Sequence, residues 1–198
     1  MNVREANKGD ITSIVIIHCD AFKGFFLTSL GTDFLKFYYS IFLMSLETVI
    51  LVFEENGEVV GFSAATMNCK GFNNRLIKSN FWSFVFLSLK LLFINPKALL
   101  RLILNLTKKS STVEDNEEYA ELYSIGVDKN QQGKGIGKKL LSATEAVLKE
   151  KGADKVSLTT DYENNDSAVG FYQSMGYKTL YEFTTYPSRR MYRFIKFL

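Results

Sequence analysis

Three glycines fall within the stretch Gln132-Gly133-Lys134-Gly135-Ile136-Gly137, where the residue pattern changes from that of a strand to that of a helix. Upstream, Tyr119-Ala120-Glu121-Leu122-Tyr123-Ser124-Ile125-Gly126-Val127 is rich in aromatic and branched residues and runs into the polar turn Asp128-Lys129-Asn130-Gln131, as a strand end does. Downstream, Ile136, Leu140, Leu141, Ala143, Thr144, Val147 and Leu148 recur at helical spacing. Each glycine costs a helix about 1 kcal/mol relative to alanine, so glycines opening a helix need a compensating reason. Close approach of another group to bare backbone supplies it. The amides at a helix N-terminus are unpaired and carry partial positive charge, and without Cβ atoms they can close around a phosphate.

With 198 residues, the chain is expected to form one well-cored domain with insertions. Hydrophobic residues make up 46% and charged residues 23%, which excludes disorder as the default state. The net charge is only +3, and the lysines and arginines form no compact basic run. Nucleic acid is therefore not an expected partner, whereas an anionic cofactor is. Cys19 and Cys69 lie in apolar surroundings without metal-ligand or C-x-x-C spacing, so no metal site and no disulfide are expected. The first residues lack the apolar core of a signal peptide, and a cytoplasmic location is expected.

Taken in order, residues 2–5 read as a strand, and Asp10 as the cap of a helix running to about Phe22. A loop, Lys23 to Phe26, precedes a second helix carrying Phe34, Leu35, Phe37, Tyr38, Ile41, Phe42 and Met44. Thr48 to Phe53 and Glu58 to Met67 form a hairpin about Asn56-Gly57. From about 70 to 118 the regular progression stops. Asn80 is placed to cap a helix spanning Phe81 to about Ile94 that is apolar on nearly every face, and Pro96 to open another from Lys97 to Lys108. The polar run Ser110 to Glu118 reads as a surface loop. After the glycine stretch and its helix come a strand at Val156 to Thr160, a short helix at Asp166 to Met175, and a hairpin of Tyr177 to Tyr186 with Arg189 to Phe197 around Pro187-Ser188.

A second motif lies at Asn165-Asp166-Ser167-Ala168-Val169-Gly170-Phe171-Tyr172-Gln173-Ser174-Met175-Gly176-Tyr177. Gln132-x-x-Gly135-x-Gly137 after a strand ending in Val127 resembles the acyl-CoA-binding motif of the GCN5-related N-acetyltransferase (GNAT) superfamily. The second motif resembles that family's pattern at Asn165, Ala168, Tyr172, Gly176 and Tyr177. The resemblance covers about 125 to 178 directly. It implies an α/β (α+β) fold: a mixed, twisted sheet of about six to seven strands with helices on both faces, here with an apolar helical insertion at about 70–118.

The resemblance also implies acetyl-CoA as co-substrate, with no metal. Its pyrophosphate would lie on Gln132, Gly133, Lys134, Gly135, Ile136, Gly137 and Lys138. Its pantetheine arm would pair with the backbone of Ile125, Gly126 and Val127, where the family's strand bulges and splays, a feature with which Gly126 is compatible. Asn165 either caps its helix or bonds the pantetheine amides. Asn165, Ala168 and Tyr172 share a helix, and the seven-residue step from Asn165 to Tyr172 puts both on one face. Tyr172, protonated at neutral pH, is the candidate acid for the leaving thiolate. Glu121 is the candidate base, on the same face as Tyr123 and Ile125 provided no bulge intervenes. Glu118, Asp161 and Tyr123 stand in reserve, and His18 reads as structural. The expected activity is acetyl transfer to a primary amine of a small molecule by direct attack. The alternatives are a peptide or protein N-acetyltransferase and a non-catalytic acyl-CoA-binding module. The insertion fits a lid over the acceptor, a homodimer interface or a membrane-surface contact.

Overall fold

The computed structural model describes residues 2–94, 96, 100, 115–185 and 188–198. Seven strands form one sheet: β1 (Asn2–Glu5), β2 (Thr48–Glu55), β3 (Glu58–Thr66), β4 (Ala120–Val127), β5 (Lys155–Asp161), β6 (Lys178–Thr185) and β7 (Arg189–Phe197), in the order β1-β2-β3-β4-β5-β7-β6. Only β4 and β5 run parallel. The reason is local: the helix α6 (Ile136–Glu150) supplies the crossover that a parallel pair needs, while the neighbouring pairs are antiparallel.

Helices cover both faces, as expected. On one side α1 (Ile11–Ala21) and α3 (Thr32–Met44) bury Ile14, Val15, Leu35, Tyr39 and Phe42 against Ile50, Val52 and Phe62 of the sheet. On the other, α6 buries Leu140, Leu141 and Leu148 against Val49, Leu51, Val156 and Phe194. Strand β2 alternates its side chains between these two clusters, which explains an apolar run without the polar alternation of a half-solvated strand.

Several local expectations change. Asp10 does not cap α1 through its side chain. Its carboxylate instead accepts from the Asn7 amide and pairs with Arg4 at 2.7 Å, and the capping box belongs to the short 3-10 turn Lys8–Asp10 with Asn7 as its cap. The loop before α3 holds one helical turn, α2 (Phe26–Ser29), and a further helix, α4 (Phe72–Ser79), precedes α5 (Phe81–Ile94). Asn80 turns back to donate to the Leu76 carbonyl at 3.0 Å rather than forward. The second expected insertion helix, 97–108, falls almost wholly outside the described residues, as do 110–114 and Pro187.

Candidate active site

Strand β4 begins by pairing with β5 through Ala120, Glu121 and Leu122, and there the ladder ends. From Tyr123 to Val127 the strand stays bonded only to β3, so the edge that faced β5 is left open. A bulge accompanies the divergence: Ala64 pairs with Ser124 and Ala65 with Leu122, so Tyr123 is the extra residue. The bulge is therefore at Tyr123 and not at Gly126, although a glycine there is compatible with one. Gly126 answers a different need, because a Cβ there would lie 3.0 Å from Phe62 Cε1 and 3.3 Å from Ile17 Cγ2. It lets α1 pack onto the sheet. The bulge also breaks the alternation on which the Glu121 assignment rested. Tyr123 packs into the α1/α3 side with Phe42 and Phe72, whereas Ile125 packs on the α6 side.

Opposite the open edge lies the glycine loop. Gly133 and Gly135 hold φ of +80° and +76°, and a Cβ at either would meet nothing within 4 Å. The requirement is thus conformational, with open space in front of the loop. Helix α6 starts directly behind it without a side-chain cap, leaving its first-turn amides as anion donors. Between loop and strand edge is a cavity of about 660 Å³, lined by Ile125, Gly126, Val127, Gln132, Gly133, Gly135, Ile136, Gly137 and Lys138 and by the helix α7 (Asp166–Ser174) with Asn165 before it. Lys134 is outside this lining, its ammonium bonded to Gln131 Oε1. Ala21, Phe22, Gln131, Ser167 and Phe171 also line it; Ala21 and Phe22 carried no signal, since apolar residues at the end of α1 are indistinguishable from core.

Asn165 does not cap α7. Its Nδ2 donates to Thr160 Oγ1 at 2.6 Å and to the Asp161 carbonyl at 3.2 Å, fixing the amide against the end of β5. Asn165, Ala168 and Tyr172 all line the cavity, as their common helix face requires. The half-buried Tyr172 ring packs edge-on to Tyr177 at 5.8 Å and against Phe194 at 6.3 Å. Its hydroxyl bonds no other described side chain, and burial pushes its pKa up to about 12. It is therefore protonated at neutral pH.

A second cavity of about 450 Å³ adjoins the first, and Ala21, Phe22, Ile125, Asn165, Ala168 and Tyr172 line both. Its other walls come from Phe25, Phe26 and Leu27 around α2, Tyr123 and Ser124 of the bulge, and Arg189 and Met191 of β7. The Arg189 guanidinium lies 4.4 Å from the Phe25 ring centre and forms a fork with both oxygens of Asp161. His18 lines this cavity too: its Nδ1 is 2.7 Å from the Tyr39 hydroxyl, and its Nε2 has no partner among the described residues. Burial depresses it to about 4, so it is neutral at pH 7.

Glu121 lies in neither lining. One of its oxygens accepts from Arg193 at 2.6 Å and the other from the Cys69 thiol at 2.7 Å. Of the reserves, Asp161 is held by Arg189, Glu118 is exposed before β4, and burial raises the Tyr123 phenol above its ordinary range. Among the described residues, neither cavity has an Asp or Glu in its lining, and no cluster of His, Cys, Asp and Glu could hold a metal ion.

A sheet splayed after its one parallel pair faces an uncapped helix N-terminus across a cavity, an arrangement suited to an extended anionic ligand. The chain belongs to the acetyltransferase (GNAT) family, whose sequence profile matches residues 12–177. Over a shorter stretch it is similar to the mycothiol acetyltransferase of Corynebacterium aurimucosum, with 39% identity over 64 residues, 32% of this chain and 21% of that one. The match thus spans about a fifth of the relative's length. The ribosomal-protein-alanine N-acetyltransferase of Brucella melitensis has the same fold at a TM-score of 0.64 and 15% identity, with 100% of each chain covered. So does yncA of Salmonella typhimurium, solved with its cofactor acetyl-CoA, at a TM-score of 0.61 and 18% identity over 100% of this chain and 94% of that one. Acetyl-CoA is the donor this family uses, and the uncapped amides and open loop fit its pyrophosphate.

Gly135→Val tests that fit. A branched side chain at φ +76° costs about 1–2 kcal/mol of backbone strain and tilts the loop amides. Acetyl-CoA binding by calorimetry is expected to weaken about tenfold, roughly 1.4 kcal/mol. Unchanged affinity would remove the loop from the binding site.

Proposed function

We propose that the protein transfers the acetyl group of acetyl-CoA to the primary amine of a small molecule by direct attack. The observation that carries this reading is the pair of adjoining cavities whose shared wall includes Ile125 and Tyr172: donor and acceptor would meet there. Bound acetyl-CoA supplies an activated thioester. The glycine loop and α6 amides hold its pyrophosphate. The open β4 edge positions the pantetheine, and a strand amide stabilises charge developing on the carbonyl oxygen. Tyr172 donates from its protonated hydroxyl toward the leaving sulfur.

Glu121, with both oxygens engaged, is reassigned in this reading from base to positioning residue. The attacking amine is then the fraction already deprotonated, so the rate should rise with pH as the amine titrates. A small acceptor is favoured over a peptide because the second cavity is pocket-sized and walled by Phe22, Phe25 and Phe26. The partial similarity to mycothiol acetyltransferases points the same way.

The test is thiol release from acetyl-CoA across a panel of small amines and of peptides with free N-termini. Turnover is expected with at least one small amine and not with the peptides. Peptide-only turnover would reverse the acceptor assignment, and acetyl-CoA binding without turnover on any amine would leave a non-catalytic binding module.

A further inference from the structure

Helix α5 presents two apolar faces, and among the described residues only one is packed. Phe84 packs at 5.1 Å from Phe37 and 6.5 Å from Phe34, and Leu87 joins the same cluster, which fixes the rotation of the helix. The opposite face then carries Trp82, Phe86, Leu89 and Phe93 outward, with Trp82 at 79% and Phe93 at 85% exposure. Their 4-3-4 spacing makes a single stripe along three turns. Lone exposed hydrophobics need no explanation, but a continuous aromatic stripe does.

The charge of the sequence that carries the stripe says what it meets. From Val59 to Val113 the sequence contains no Asp or Glu and eight Lys and Arg, in a chain whose net charge is only +3. Of these, Lys70 and Lys78 flank α4 just before the stripe and are exposed, while Arg75 is paired with Glu47. A surface joining Trp and Phe with exposed lysines, from a stretch with no acidic residue of its own, matches the boundary of an anionic bilayer: aromatic rings at headgroup depth, ammonium groups on lipid phosphates. Among the described residues, no helix is long and apolar enough to cross a membrane. We infer that the outward face of α5, with Lys70 and Lys78, docks the protein on the surface of an anionic lipid membrane.

Trp82 is the only tryptophan in the chain, so its fluorescence reports the stripe directly. The full-length protein is mixed with vesicles of phosphatidylcholine and phosphatidylglycerol at roughly two to one, and with pure phosphatidylcholine. A blue shift with co-sedimentation is expected on the anionic vesicles, about tenfold weaker on the neutral ones, and reduced by salt. Phe86→Glu/Phe93→Glu should abolish it with acetyl-CoA binding retained. Lys70→Glu/Lys78→Glu, which leaves the stripe intact, should remove the preference for anionic lipid. Two results overturn the inference. Emission already blue in the free monomer and unmoved by vesicles means that the chain's own residues cover the stripe. A blue shift that grows with protein concentration, without lipid and with a dimer in sedimentation, means that a second copy does.

Discussion

Tyr172→Phe is expected to lower kcat by about a hundredfold to ten-thousandfold with acetyl-CoA affinity nearly unchanged. The variant removes one oxygen from a ring whose packing against Tyr177 and Phe194 is otherwise kept, so the fold should survive. A hydroxyl that acts only as the thiolate leaves contributes to the transition state and not to the ground state, which places the loss in kcat rather than in KM. The pH profile separates this role from others. Because burial holds Tyr172 at about 12, it stays protonated through pH 10, and no alkaline limb from its ionisation should appear below about pH 11. That value also lies above the roughly 8.5 of an ordinary thiol. Complete proton transfer from Tyr172 alone is therefore uphill, and the hydroxyl must be re-protonated as it donates, most directly from the ammonium formed by the attacking amine. The measurement is steady-state kinetics of both proteins from pH 6 to 10. A variant within about threefold of wild type, or a wild-type profile that falls above a pKa near neutrality, would sink the assignment.

What could be read from the sequence and what could not divide along chain connectivity. The first cavity draws most of its walls from residues 125–138 and 165–172, contiguous stretches whose glycines and helix-face spacing carry their own physical signature. The second cavity is assembled from α1, α2, the β4 bulge, β5 and β7, and no local pattern announces that Arg189 will stack on Phe25. The Tyr123 bulge is similarly silent: no glycine or proline marks it, because the register slip is imposed by β3 pairing with a strand that leaves β5. That one residue decides which face Ile125 takes, which is why strand alternation grouped it with Glu121. Asp10 shows the same limit at short range. Its sequence position suits a helix cap, but the Arg4 guanidinium brought alongside by β1 claims the carboxylate.

Arg193→Ala is expected to destabilise the protein by about 3–5 kcal/mol, the usual cost of leaving one member of a buried ion pair without its partner. Glu121 is 8% exposed, and its oxygens face Arg193 and the Cys69 thiol, whose pKa burial and the nearby carboxylate push up. The thiol thus stays a donor and cannot replace the lost cation. Position makes the pair matter beyond its energy. Glu121 is in register with Ser157, which itself accepts from Arg193 at 3.1 Å, so one guanidinium ties β7 and β5 to β4 one residue before the parallel ladder ends at Leu122. The contact pins the closed end of the gap between β4 and β5. Equilibrium urea unfolding of Arg193→Ala, Glu121→Gln and the double variant Glu121→Gln/Arg193→Met separates the contributions. The double variant, which removes both charges at similar volume, should recover most of the loss. If Arg193→Ala costs less than about 1 kcal/mol, water reaches the carboxylate and the pair behaves as a surface one. If the double variant is as unstable as Arg193→Ala, the loss comes from the guanidinium's contacts with the Tyr119 and Phe183 rings and not from the stranded charge.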